Sequence, residues 1–380
     1  MTKTVLQLLP RTPGTFDGVG DYALNLAQLL VTQYGIGSVF AIREHTPGQG
    51  PAQLEVLPMD NNGIAAAEAA GKFAGVVLHY ANYGYQKRGV PTWLPRFING
   101  LRRAIPGRLV TVFHELYASG PPWGSAFWLR PLQKRIATQI SALSDCCMVS
   151  NETTAEQLRA LNPAAAITVQ PVPSTYGEPV LTLQQIRQRD PHRWALCGGT
   201  ALLERSLRSF SQLISKIPAD VRPRELLLLG GRESASLRAA AKELKPLRTT
   251  YLPEISAANA SERLATCSYG WIDYFDDERV PLSLILKSSS FAAYCAHGLV
   301  PVFPRGGSPF GVLEDLLPGP FYIDARGSSL PQEQDAGKTG FEHLEWYHRR
   351  AAIHVLGRRL ASLVSPGKEP SETVPATEAK

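Results

Sequence analysis

Trp194-Ala195-Leu196-Cys197-Gly198-Gly199-Thr200 is the stretch that decides the fold. Four apolar residues run into a pair of glycines, as when a buried parallel strand ends in a turn before a helix. The chain has begun this way once already, at Val5-Leu6-Gln7-Leu8-Leu9. Between the two starts lies a polar interval that opens near Pro171-Val172-Pro173 and reaches Pro191. Two starts in one chain predict two α/β units in series.

The surrounding pattern agrees. Upstream of the restart, short apolar runs at 5–9, 38–42, 75–80, 109–113, 146–150 and 167–170 alternate with helical stretches at 21–34, 93–104, 129–143 and 153–161. Downstream, the run 226–229 enters Gly230-Gly231, and 270–275 and 300–303 continue the series. Such alternation predicts parallel sheets covered by helices. The boundaries follow: a Rossmann-like domain over 1–172, a linker over 173–192, a second Rossmann-like domain over 193–340, and a helix over 341–364 able to cross back to the first domain. The polar, proline-rich tail over 365–380 is expected to be disordered.

At 380 residues the chain exceeds one ordinary core and suits two of roughly 150–190 residues. Its 44% hydrophobic and 19% charged residues match a soluble globular protein. No apolar run reaches the ~18 residues that span a bilayer, and Met1 to Pro10 reads as a strand rather than a secretory signal. A cytoplasmic protein is expected. Five cysteines (Cys146, Cys147, Cys197, Cys267, Cys295) without Cys-x-x-Cys spacing predict buried reduced thiols and no metal site.

The net charge of +6 is unevenly spread. Lys87, Arg88, Arg96, Arg102, Arg103 and Arg108 occupy a stretch without Asp or Glu. Within it, Trp93 or Leu94, Phe97 or Ile98, and Leu101 share a helical face. That face can pack on its own sheet, lie on an anionic membrane, or do both, with apolar residues inside and arginines outward. Without zinc spacing or an RNP-like motif, nucleic acid is not an expected partner.

In open parallel sheets, ligands sit beyond the carboxyl ends of the strands and anions sit at helix N-termini. In Pro13 to Tyr22, Gly18 and Gly20 either let the backbone approach a ligand beside the helix that starts at Asp21, or form a plain glycine turn with Asp21 as N-cap. Ala23 replaces the third glycine of the Rossmann fingerprint and strand two ends without an acid, which disfavours a dinucleotide-dependent dehydrogenase. His114 closes the strand Val110-Thr111-Val112-Phe113, either as a cleft residue or as a satisfied structural histidine. Tyr83, in the aromatic loop between Tyr80 and Tyr85, can stack on a sugar or simply pack. Lys287-Ser288-Ser289-Ser290 joins a cation and hydroxyls to a helix start, which makes either an anion site or an ordinary cap.

In their order these features resemble the retaining, nucleotide-sugar-dependent glycosyltransferases of family four. Those enzymes have the GT-B fold, an α/β architecture of two Rossmann-like domains whose parallel sheets face an interdomain cleft. The resemblance rests on Gly18 and Gly20 after strand one, His114 at a strand end, Ser150 ending a later strand, and Pro171-Val172-Pro173-Ser174 leading into the linker. It implies that His114 contacts the transferred sugar. Gly18, Gly20 and Asp21, with Tyr83, become the acceptor-side and interdomain candidates. Gly199 and Arg205 fall to the donor diphosphate, and Gly230, Gly231 and Tyr251 to the nucleotide. A nucleotide sugar is implied as co-substrate without metal or other cofactor, and the acceptor as a saccharide or lipid-linked saccharide, at the inner face of the membrane.

One departure stands out. The family's two glutamates, eight positions apart, fall here on Ile285 and Ala293. Lys287, Ser288 and Ser289 are therefore assigned to the diphosphate in their stead. The departure leaves open a non-catalytic GT-B subunit that binds or scaffolds. A sugar-nucleotide epimerase using Asp17, Glu115 and His114 is the remoter alternative.

Overall fold

The computed structural model describes residues 3–13, 18–44, 55–59, 73–118, 124–275, 277 and 279–364. Asp17 and the tail 365–380, which the sequence reading singled out, lie outside the described residues. The chain divides into two compact units. One comprises Met1–Val149, Glu156–Thr168 and Ile353–Lys380; the other comprises Ser150–Ala155 and Val169–Ala352.

The sheet of the first unit is built from β1 (Lys3–Arg11), β2 (Ile36–Glu44), β3 (Val56–Pro58), β4 (Gly75–Tyr80), β5 (Arg108–Phe113), β6 (Cys146–Val149) and β7 (Ile167–Val169). Their order is β3-β2-β1-β4-β5-β6-β7, and the pairs from β3 to β6 are parallel. The chain first steps outward from β1 to β3 and then returns to lay β4 against the other side of β1. That reversal makes the β1/β4 border the topological switch point, where a ligand site is expected beyond the strand ends. All six residues of β4 are buried, as a strand covered on both faces requires.

The second unit repeats the plan with β8 (Arg193–Cys197), β9 (Glu225–Leu229), β10 (Arg248–Leu252), β11 (Tyr269–Trp271), β12 (Val300–Phe303) and β15 (Phe321–Tyr322). The order is β10-β9-β8-β11-β12-β15, parallel throughout, with its switch point between β8 and β11. A short antiparallel ribbon pairs β13 (Gly311–Val312) with β14 (Asp315–Leu316). The core is aromatic: Trp194 stacks on Tyr269 with centroids 4.6 Å apart, and Phe210 meets Trp271 edge-on. The Trp194 indole donates to Val221 O at 3.0 Å, so the ring is enclosed without an orphaned N–H.

Two local readings are corrected. The first helix is Gly18–Tyr34, so Asp21 lies in its first turn instead of capping it. A carboxylate there still faces the positive end of the helix dipole. The single helix read over 341–364 is two helices, Glu333–Arg350 and Ile353–Val364. The second of these belongs to the first unit and packs against Gly18–Tyr34. A Cβ at Gly357 would come within 2.1 Å of Leu29 Cδ2, so any larger residue would force the Leu29 side chain to move.

The helix Leu94–Ala104 buries Leu94, Phe97, Ile98 and Leu101, and its apolar face belongs to the core. Arg102 is not a free cation: it forms a two-point ion pair with Asp145, whose carboxylate also accepts from Leu109 N at 2.7 Å. Burial pushes the Asp145 carboxyl up, but the bonds from Arg102 and Leu109 and the charges of Arg102 and Arg108 outweigh it and hold it below its usual value. Arg96 and Arg103 remain exposed. All five cysteines are buried and unbridged, and no helix among the described residues is long and apolar enough to cross a membrane.

Candidate functional site

At the switch point of the first unit, three neighbouring strands bring polar side chains into one buried line. Gln7 comes from β1, His79 from β4 and His114 from the residue after β5. Gln7 and His79 are fully buried. The Gln7 amide nitrogen donates to Ser38 Oγ at 2.9 Å, which leaves Gln7 Oε1 to accept from His79 Nε2 at 2.9 Å. His79 therefore carries its proton on Nε2, and its Nδ1 accepts from His114 Nε2 across 3.3 Å. The direction is set because an amide oxygen cannot donate. The chain of bonds ends at His114 Nδ1, a lone pair able to accept a hydrogen bond.

Tyr22, on the helix that follows the glycine loop, closes the cluster edge-on to both imidazoles, at 5.7 Å from His79 and 5.1 Å from His114. Burial pushes His114 down to about 4 and, with repulsion from His114, pushes His79 well below its ordinary value. Both rings are thus neutral at neutral pH. His79 is completely enclosed, whereas His114 is only half-buried. His114 is placed to touch a ligand and His79 to orient it. Sequence reasoning missed Gln7, His79 and Tyr22. A signal existed, since Gln7 and His79 interrupt otherwise apolar strands, and a polar group inside a buried strand needs a partner.

Of the acceptor-side candidates, Gly18 begins the first helix with open space where a side chain would stand, and Gly20 is buried in its first turn. Tyr83 lies in the short helix Asn82–Tyr85 and accepts through its hydroxyl from Gln133 Nε2 at 3.3 Å. The same amide donates to Arg88 O and accepts from Ala118 N, so Gln133 ties this loop together.

In the second unit the glycine turn after β8 is crowded. Gly198 has φ +140, and a Cβ there would meet Ser290 Oγ at 2.7 Å, so glycine is required on both counts. Helix Thr200–Leu213 starts at this turn with Gly199 as its N-cap, and helix Ser289–Ala296 starts beside it. Ser288 caps the second helix by accepting from Phe291 N at 3.3 Å. The N–H groups of Ser289 and Ser290 have no intrahelical acceptor at this end. Gly230 and Gly231, both with positive φ, pass against Gly198 and Thr200. Of the residues proposed from sequence for diphosphate and nucleotide, Gly199, Gly230 and Gly231 lie at the carboxyl ends of β8 and β9, with the helix start at Ser288 and Ser289 beside them.

Lys287 Nζ stands 5.8 Å over the ring of Tyr274. Arg205 is engaged by the same segment: its guanidinium donates to Asp273 O at 2.6 Å and to Tyr274 O at 2.7 Å. It anchors the loop after β11 on which Lys287 rests. The Tyr251 hydroxyl donates to Arg232 O at 2.8 Å, and Arg238 lies 5.6 Å over its ring. The two positions that lack glutamate, Ile285 and Ala293, are completely buried, where a carboxylate would lose its hydration. Among the described residues no group of three or more His, Cys, Asp or Glu is placed to hold a metal ion.

No family model matches the sequence, and no curated protein matches it. Similar folds are found among solved structures. An alpha-glucosyltransferase in complex with UDP and a 13-mer DNA containing a HMU base matches with a TM-score of 0.58 at 10% identity, over 96% of this chain and 100% of that one. An alpha-glucosyltransferase in complex with UDP-glucose and DNA containing an abasic site matches with a TM-score of 0.56 at 9% identity, over 95% and 99% of the two chains. A putative UDP-N-acetylglucosamine 2-epimerase from Listeria monocytogenes matches with a TM-score of 0.50 at 12% identity, over 98% and 100%.

One expectation is overturned by these matches. Nucleic acid was set aside because the sequence has no zinc spacing and no RNP-like motif. A chain matched along its whole length has been solved with DNA, so the absence of those motifs does not rule out a nucleic-acid partner. At such identities the likeness is one of fold, and the fold is GT-B: an α/β chain with two parallel sheets covered by helices.

Proposed function

We propose that the protein transfers a sugar from a nucleoside-diphosphate sugar to an acceptor hydroxyl. The observation that carries the proposal is the Gly198–Gly199 turn, where two helix N-termini lie side by side at a switch point. Unpaired N–H groups and two dipole ends favour a diphosphate there. Lys287 adds a charge, and Ser289 and Ser290 add backbone donors. In transfer, this set stabilises the charge that develops on the leaving diphosphate. His114, held neutral with Nδ1 as an acceptor, takes a hydrogen bond from a sugar hydroxyl. Gly230 and Gly231 hold the loop after β9 against Gly198 and Thr200, which brings it beside the proposed diphosphate turn for the nucleotide to rest on.

Family likeness suggests retention of anomeric configuration, with a saccharide, free or lipid-linked, as acceptor. A second reading, a subunit that binds nucleotide without turnover, is favoured by the burial of Ile285 and Ala293 where related enzymes carry glutamates. A panel of nucleotide sugars separates the two. A donor that raises the melting temperature identifies the nucleotide, and release of nucleoside diphosphate with a sugar acceptor shows turnover. Stabilisation without release would favour the binding subunit. Conversion of the donor to its epimer would favour an epimerase. No stabilisation by any nucleotide sugar would reject the proposal.

A further inference from the structure

Away from the glycine turn, the helix Ala235–Glu243, the loop after it and β10 enclose an open groove of about 780 Å³. Four of its nine lining residues are cations, Arg238, Lys242, Lys245 and Arg248, and none is acidic. All four are exposed. Arg238 and Lys242 lie one helical turn apart on the same side of the helix, and Lys245 follows in the loop after it. Arg248 opens β10, the outermost strand of its sheet. Arg238 pairs with Glu233 at 2.7 Å, whereas Lys242, Lys245 and Arg248 form no ion pair among the described residues. Glu243, on the same helix, is not part of the lining.

Unpaired like charges gathered in a concavity repel one another, and a polyanion relieves that repulsion. The groove also holds a planar surface, the Tyr251 ring with the Arg238 guanidinium, fixed by the phenol's bond to Arg232 O. Cations beside an immobilised ring suit a flexible strand that offers phosphates and bases in turn. A bilayer is too flat to enter a groove, and a duplex cannot turn its bases toward the ring.

We infer that this groove binds single-stranded nucleic acid, with phosphates on Lys242, Lys245 and Arg248 and a base against Tyr251. Tyr251 is also a candidate for the donor nucleotide, but Lys242, Lys245 and Arg248 are not assigned to the donor site, so a loss confined to their variant tests the groove and not the sugar-transfer reading.

The test measures fluorescence anisotropy of a labelled oligothymidylate of about twelve nucleotides, a length within reach of such grooves. The full chain is titrated at salt between about 50 and 200 mM. Two triple variants of equal charge are compared: Lys242→Gln/Lys245→Gln/Arg248→Gln in the groove, and Arg88→Gln/Arg96→Gln/Arg103→Gln in the other unit. Wild type should bind with a steep salt dependence. The groove variant should lose at least tenfold in affinity and flatten the log–log salt slope by about 2, near 0.7 per phosphate contact released. The other variant should bind nearly as wild type does, and both should melt with wild type. Equal losses in the two variants would mean diffuse attraction and overturn the site. So would absence of binding at the lowest salt. Binding to phosphatidylserine vesicles that is lost in the groove variant, without oligonucleotide binding, would assign the groove to a membrane instead.

Discussion

His79 Nδ1 lies 3.3 Å from His114 Nε2, with the two imidazoles nearly parallel. One ring is sealed inside the sheet and the other reaches its open end. The hydrogen bond carries the tautomer chosen by Gln7 out to the residue that can meet a ligand. Gln7 and His79 are in this sense positioning residues for His114.

Replacing His114 tests whether it touches the sugar. His114→Ala leaves the buried Nδ1 of His79 without a donor, which should cost about 1–3 kcal/mol. His114→Gln offers a donor at a similar distance and should recover part of that stability. Transfer should fall by about a hundredfold or more in both, given about 3 kcal/mol of lost interaction in the transition state. Turnover and urea midpoint are to be measured on one sample. Full turnover per folded molecule in either variant would leave His114 a purely structural residue.

Gln7→Leu removes the acceptor that holds His79 Nε2–H. The expected result is a destabilised protein, by about 1–3 kcal/mol for the orphaned donor, with a lowered kcat. Gln7→Glu, which can still accept, should restore more kcat than stability, because a buried carboxylate is itself costly. A kcat unaffected by Gln7→Leu would sever the link between Gln7 and His114.

Stability should fall on mild acidification. His79, His297 and His343 are buried; burial holds His297 and His343 at about 4 and His79 well below its ordinary value. In the unfolded chain each titrates near 6.5. A folded-state value below the unfolded one means that the unfolded chain binds more protons as pH falls. Stability is therefore complete above about pH 6.5 and declines toward pH 4, by up to roughly 1.4 kcal/mol per pH unit for each group. Urea midpoints between about pH 7 and pH 5 measure this decline. A flat profile over that range would show that these rings are not held neutral.

Lys287→Ala removes one charged contact to the proposed diphosphate, worth roughly 1.5–3 kcal/mol. Affinity for donor and for nucleoside diphosphate should drop together by about ten- to a hundredfold, while the unphosphorylated nucleoside is unaffected. The lost cation–π contact with Tyr274 should cost the fold little, about 0.5–1 kcal/mol. Calorimetric titration of the diphosphate decides it. Unchanged affinity would move the phosphate site away from this helix start.

Arg102→Gln should weaken the fold instead of any surface attachment, because its guanidinium ties the helix Leu94–Ala104 to Asp145. The pair is about one-third exposed, so the loss should be modest, about 0.5–1 kcal/mol. Binding to anionic vesicles should not change. A variant that melts with wild type but leaves vesicles more readily would instead assign Arg102 to a membrane surface.

The fold is legible in the order of residues along the chain. Apolar runs ending in Gly198-Gly199 and Gly230-Gly231 are a local pattern, and alternation with helices permits little besides parallel sheets. The sequence also showed Lys287-Ser288-Ser289 as a helix start and His114 as a strand end, since both follow from neighbours in the chain. What these residues meet becomes visible once the strands are assembled. Gln7, His79 and His114 lie on β1, β4 and after β5, and only strand order makes them adjacent. Arg205 is as cationic in sequence as Lys287, yet its guanidinium is taken by the carbonyls of Asp273 and Tyr274, 68 and 69 residues away. Arg102 likewise finds Asp145 at a separation of 43 residues. Periodicity is written in adjacent residues, whereas a partner across the sheet depends on register and strand order, which the chain acquires only on folding.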